Sequence, residues 1–137
     1  MPNTFVHLEL NTDHLGKASA FYKQLFAWKM TPMKGQPYLM VDTGAKNGGA
    51  GIQQKPMPEA PTQWLPYVAV ESVKKTVAKA RKLGATVHVE YQPIPGMGAL
   101  GIFSDPTGAT LGVWEATMPA KKPAKAAKKK KPSAKKK

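Results

Sequence analysis

One order of patterns is written twice between residues 3 and 117: a strand, a helix and three further strands. The first copy opens with FVHLELN at residues 5–11 and runs into a helix over about residues 13–26. There Leu15, Ala18, Tyr22 and Leu25 recur at helical spacing, and Thr12 or Asp13 is placed to cap the free N–H groups. WKMTPM, PYLMVDT and AGIQQK follow as short strands divided by Gly and Pro. The second copy starts with LPYVAV and passes through a helix capped by Ser72, stacked through Val73, Val77 and Ala80 and stopped at Gly84. It ends in ATVHVEY, ALGIFS and ATLGVWE, the last two joined by DPTG, whose Pro and Gly suit a tight turn. A repeat this short cannot bury its own sheet face, so each unit must pack against its twin. The expectation is an α+β fold in which two βαβββ modules, about residues 3–58 and 62–117, form one cupped mixed sheet.

The chain of 137 residues is 42% hydrophobic, enough for one core, and a single domain over residues 1–117 is expected. Its formal charge of +13 is unevenly spread. Ten of the 21 Lys+Arg lie at Lys121 or beyond, while all eight Asp+Glu precede that point, so residues 1–120 carry eleven cations against eight anions, or +3. Residues 118–137 hold Lys, Ala, Pro and one Ser with no large apolar side chain other than Met118; such a segment cannot offset the entropy of ordering, and a disordered Lys-rich tail is expected. The absence of cysteine excludes disulfides and thiolate chemistry. No apolar run approaches the roughly 18 residues that span a bilayer, and the N-terminus lacks a basic segment followed by a hydrophobic one, so a cytoplasmic protein without a membrane span is expected.

Strand alternation selects the candidate site. In FVHLELN, His7, Glu9 and Asn11 share one face and Leu8 and Leu10 the other. If Leu8, Leu10, Val68 and Val70 lie beneath the helices, then His7, Glu9 and Asn11, with Leu65, Tyr67 and Ala69, line the concave side. His7 reads either as a general base oriented by Glu9 or as one half of a satisfied polar pair with it. Tyr67 and Trp114 read as flat walls for a small, partly apolar ligand, with Gly112 leaving room between them. The PIPGMG segment at residues 93–98 has no following helix and reads as a connection rather than a phosphate loop. His14 and His88 receive no role.

Three stretches together resemble the vicinal oxygen chelate superfamily, which includes glyoxalase I, extradiol dioxygenases and bleomycin-resistance proteins. They are FVHLELNTDHLGKASAFYKQLF, WLPYVAVESVKKTVAKARKLGATV and FSDPTGATLGVWE, and the DPxG turn before the last strand is the most telling piece. The resemblance covers most of residues 4–116 and implies a homodimer. It also implies a divalent metal held by one residue from the first and one from the last strand of each module. His7 falls on the first of these positions and Gln53 near the second, where the superfamily usually has Glu. The third maps to Leu65 or its neighbour and the fourth to Gly112, and neither can bind a metal through its side chain. A catalytic divalent site needs about three protein ligands and an open position. Glu9, some 6 to 7 Å along the strand from His7, is near enough to share an ion with His7 and Gln53.

Three functional readings follow. In the first, the protein binds a small organic ligand in a pocket built from His7, Glu9, Asn11, Gln53, Tyr67 and Trp114, as a binding protein or metal-independent enzyme with no cofactor. In the second, Lys121–Lys137 tether a scaffold to nucleic acid or another polyanion, without sequence specificity because the segment has no aromatic residue and no Arg. In the third, which the resemblance implies, the protein is a metal-dependent lyase of the lactoylglutathione lyase kind or a dioxygenase.

Overall fold

The computed structural model of the protein describes residues 1–46, 49–55 and 57–117; the Lys-rich segment and its expected disorder lie outside the described residues. The first module comprises β1 (Phe5–Thr12), α1 (Leu15–Leu25), β2 (Lys29–Pro32), β3 (Tyr38–Asp42) and β4 (Gly49–Gln54). The second repeats the series as β5 (Gln63–Ala69), α2 (Val73–Lys82), β6 (Thr86–Ile94), β7 (Gly98–Ser104) and β8 (Thr110–Ala116). All eight strands join in one sheet of order β2-β3-β4-β1-β5-β8-β7-β6, so each module contributes four adjacent strands. The modules meet along an antiparallel seam in which His7 faces Tyr67, Glu9 faces Leu65 and Asn11 faces Gln63. Within the modules β1 runs parallel to β4 and β5 parallel to β8, and the remaining pairs are antiparallel.

Both helices cover the same face. Leu10, Val41, Ala50 and Ile52 form a buried cluster against Leu15, Ala18 and Tyr22 of α1, with Trp28 and Trp64 alongside. No side chain of α1 is fully buried, and aromatic contacts hold it down. The Tyr22 ring lies 5.7 Å from Trp28 and 5.6 Å from Trp64, whose indole N–H donates to the Tyr22 hydroxyl at 3.2 Å. The expected side-chain cap from Thr12 or Asp13 is displaced by one step. His14 is the N-cap residue and makes no cap bond, while Thr12 Oγ1 accepts from the His14 N–H at 3.1 Å, and Asp13 pairs with Lys55 at 3.1 Å.

The second helix matches its sequence signals closely. Ser72 caps it by accepting from Lys75 N–H, and Gly84 follows its end at φ +103°, a left-handed conformation that glycine adopts without strain. Val73 and Val77 are fully buried against Val70 and Val113. They sit directly over Gly101, where an added Cβ would lie 2.9 Å from Val77 Cγ2 and 3.0 Å from Val73 Cγ1. In the DPTG turn, Asp105 Oδ1 accepts from the Thr107 hydroxyl, the Thr107 N–H and the Ala109 N–H. Those bonds, that of the Thr107 side chain foremost, hold the carboxyl below the usual range.

Leu8 departs from expectation: it is 49% exposed instead of lying beneath a helix. The body of α1 packs toward Leu10, and the first half of β1 is left bare. Phe5, Val6, Leu8, Ala50 and Pro66 there border an open, mainly apolar cavity of about 550 Å³. Among the described residues no helix is long and apolar enough to cross a membrane.

The closeness of α2 to Gly101 predicts that Gly101→Ala overpacks the second module and destabilises the protein by about 1–3 kcal/mol. Equilibrium urea denaturation measures this as a lowered midpoint at unchanged slope.

Candidate functional site

On the helix-free face, the seam between the modules brings together groups that are far apart in sequence. Glu9 is 7% exposed, although a carboxylate in the middle of a sheet is costly unless its oxygens find donors. The Tyr67 hydroxyl donates to Glu9 Oε1 at 3.2 Å across the seam. Gln53, one strand away, takes the amide orientation that puts its nitrogen toward the carboxylate and donates to Oε1 at 3.2 Å and Oε2 at 3.3 Å; the reverse orientation would set two acceptors against each other. His7 Nε2 stands 3.8 Å from Glu9 Oε2.

Tyr38 completes the group from β3, the strand beyond β4. Its hydroxyl lies 2.8 Å from His7 Nε2. The His7 tautomer sets which of the two groups donates, and the negative charge of Glu9 nearby favours the protonated phenol. The imidazole, the Tyr38 phenol and the buried carboxylate therefore lie side by side. Glycine makes the crossing feasible. Gly51 is paired with Glu9 on β1 and Met40 on β3, and a methyl group there would overlap the Tyr38 hydroxyl. Gly112 does the same for Tyr67, whose ring would lie 2.5 Å from an added Cβ. Burial first, and the negative charge of Glu9 next, push both phenols far above the usual tyrosine range, so both are hydrogen-bond donors throughout the neutral range.

Of the residues singled out from sequence, His7, Glu9, Gln53 and Tyr67 thus lie in one contiguous network. Asn11 pairs with Gln53 in the β1–β4 register and is half-buried. Trp114 follows Gly112 by two positions on the same face, and its ring rests on Gly98, where an added Cβ would lie 2.8 Å from Cζ2. Among the described residues no hydrogen bond links Trp114 to the network. Tyr38 is the participant that the sequence reading missed. The available signal was the glycine of AGIQ, which recurs in LGVW at the matching place of the second module and leaves a gap for a ring from a neighbouring strand. His7 has 31% of its side chain accessible against 9% for Glu9, so a molecule arriving from solvent reaches the imidazole before the carboxylate. The 550 Å³ cavity shares only His7 with the predicted site residues.

A family model described as Glyoxalase-like domain matches residues 7–114, which takes in the whole network. The chain belongs to the glyoxalase-like family. A relative named as a glyoxylase, CFP32 of Mycobacterium tuberculosis, is 35% identical over 113 residues, covering 80% of this chain and 43% of the relative. The glyoxalase-like chain thus spans less than half the length of the curated relatives it matches. Among solved structures, a glyoxalase/bleomycin resistance protein/dioxygenase superfamily member from Vibrio splendidus aligns at TM-score 0.56 and 8% identity, over 85% of this chain and 100% of that one. Homoprotocatechuate 2,3-dioxygenase from Brevibacterium fuscum, in complex with 3,4-dihydroxyphenylacetate, aligns at TM-score 0.59 and 16% identity over 82% of this chain and 36% of that one. Both share the fold of the glyoxalase-like chain.

The superfamily's metal can be tested against the donors present. Of the four expected positions, His7 offers an imidazole and Gln53 an amide already turned toward Glu9, while Leu65 is a buried aliphatic and Gly112 has no side chain. Glu9 already accepts from two neutral donors, Tyr67 and Gln53. Among the described residues no three His, Cys, Asp or Glu side chains converge, so this donor set does not fit the superfamily's ion.

Since folding raises both phenol pKa values above their ordinary 10.0, the native state keeps protons that the unfolded chain releases. The stability this supplies is intact below pH 10 and is lost as the pH rises further. We expect native Tyr38 and Tyr67 to stay protonated at about pH 11, where unfolded tyrosine is mostly ionised. Tyrosinate absorbance near 295 nm, compared among the parent protein, Tyr38→Phe and Tyr67→Phe, reads this directly: neither substitution should reduce the native signal.

Proposed function

We propose that the protein binds a small organic ligand on the helix-free face, above the network of His7, Glu9, Tyr38 and Tyr67, and does so without the superfamily's metal. The observation that supports this reading is a buried carboxylate that already accepts from its own neighbours, with a partly exposed histidine at its rim. Glu9 then serves as a positioning residue: its charge, close to Tyr38, fixes the orientation of His7. The imidazole is left to exchange a proton with, or hydrogen-bond, a carbonyl or hydroxyl of the ligand. Asn11 beside Gln53 adds polar contacts, and Trp114 supplies a flat apolar surface for the remainder of the molecule. The relatives point the same way, since the dioxygenase of this fold carries a small aromatic acid. A metal-dependent lyase or dioxygenase reaction gains no support from this donor set.

The test is a ligand-observed NMR screen of small aromatic acids and α-carbonyl compounds, followed by titration of any binder into His7→Ala and Trp114→Ala. Each substitution should weaken binding by about tenfold or more, the equivalent of one lost hydrogen bond to a polar group or one aromatic contact. Parent-like affinity in both variants would place the ligand elsewhere.

A further inference from the structure

We propose that His88, Ser104 and Thr110 form a subsite for a carboxylate of the ligand, and that the ligand is therefore an organic acid; the proposal rests on the helix-free face being where the ligand binds. The three side chains come from three neighbouring strands. His88 Nε2 lies 2.6 Å from Ser104 Oγ, which lies 3.2 Å from Thr110 Oγ1. Ser104 and Thr110 face each other across the β7–β8 pair, and Thr110 shares a face with Gly112, beneath the Tyr67 ring. On β7, Gly101 and Phe103 belong to the helix side, so Ser104 belongs to the other. The cluster therefore stands on the same face as His7 and Glu9.

An irregularity in β6 gives the cluster its character. The register with β7 shifts between Val87 and Val89, and His88 is the residue left without a partner. Such a bulge re-aims side chains relative to strict alternation. His88 points to Ser104, while Glu90, two positions on, lies 3.8 Å from Arg81 of α2, on the other side of the sheet. Asp105, next to Ser104, is held in its own turn, where Oδ1 accepts from the Thr107 and Ala109 N–H groups. Among the described residues no carboxylate lies within 4.0 Å of His88, and no further hydrogen bond engages the three side chains. A neutral imidazole and two hydroxyls hold three protons, and the two bonds among them use two. One donor is left over whichever tautomer His88 takes. A carboxylate, which only accepts, is the complement of such a group.

The fold does not require the cluster. Thr110 stands two residues before Gly112, and the matching place before Gly51 in the first module is Gly49. Its distance from the histidine suits a single molecule. Thr110 is about 6 to 7 Å along β8 from Gly112, and the Tyr67 ring above Gly112 is 5.8 Å from the His7 ring. A ring bearing a carboxymethyl group and a hydroxyl at opposite positions bridges such a span with a hydrogen bond of about 2.8 Å at each end. Its apolar body then lies over the Tyr67 ring and Ile102, the partner of Gly112 on β7.

Isothermal titration calorimetry of 4-hydroxyphenylacetate and of its neutral amide with the full chain tests this. The acid should bind the parent protein about tenfold more tightly than the amide, the difference between a hydrogen bond to a charged group and one to a neutral group. The double substitution Ser104→Ala and Thr110→Val, its fold verified by circular dichroism, should bring acid and amide to the same affinity. His7→Ala should weaken both compounds and keep their ratio. A preference for the acid that survives in the double variant reflects general attraction to a basic chain and overturns the subsite. Absence of a preference in the parent, or failure of the acid to bind the parent at millimolar concentration, overturns it equally. Parent-like binding of both compounds by His7→Ala, with the preference lost in the double variant, overturns the role of His7 and supports the subsite.

Discussion

A carboxylate in the middle of a β-sheet needs donors at its oxygens, and the arrangement that supplies them to Glu9 determines much else in this glyoxalase-like protein. An unsatisfied buried charge costs several kcal/mol, more than any single cavity or cap contributes. The donors are a phenol from the other module, Tyr67, and an amide from the far side of β1, Gln53, with the Tyr38 phenol close by. Tyr67 reaches Glu9 only if the seam has His7 opposite Tyr67 and Glu9 opposite Leu65, and Gln53 only if β4 sets Gly51 opposite Glu9 and Gln53 opposite Asn11. A shift by one residue would turn Glu9 to the helix side and Leu10 to the other, exchanging the core for the polar network. Core and candidate site therefore stabilise the same register.

Two glycines make room for this polar centre. Gly51 and Gly112 occupy matching positions in the last strand of each module, and each lies beneath a tyrosine ring. The symmetry ends there: Tyr38 comes from β3 and Tyr67 from β5, so the same vacancy is filled from opposite directions. The duplication thus supplies a symmetric frame, and the polar network departs from it. Three of the positions at which the resemblance implied an ion hold an amide at Gln53, an aliphatic group at Leu65 and no side chain at Gly112.

The frame could be read from local pattern. Alternation in FVHLELN and LPYVAV, the valine stack of α2, its Ser72 cap and Gly84 stop, and the DPTG turn each express a rule that operates within about ten residues. The association of His7, Glu9 and Tyr67 followed from that alternation once two modules were placed side by side, whereas Gln53 was singled out by its place in the resemblance. Tyr38 could not be found this way, because its role depends on passing over Gly51 to a strand that is not its neighbour. The exposure of Leu8 escaped for a related reason: alternation assigns a face, but only the placement of α1 decides how much of that face is covered.

The charge pattern has its own division, with acidic groups spread through the body and cations gathered on α2 and beyond Lys121. The buried polar centre and the cations of α2 occupy opposite faces of the sheet, because α2 packs on the side away from Glu9.

The account turns on Glu9 being bound by its neighbours rather than merely near them, and a double-mutant cycle between Glu9→Gln and Tyr67→Phe measures that most directly. A hydrogen bond to a buried charge predicts a coupling energy above about 1 kcal/mol in unfolding experiments. Additive effects, with coupling indistinguishable from zero, would contradict the account.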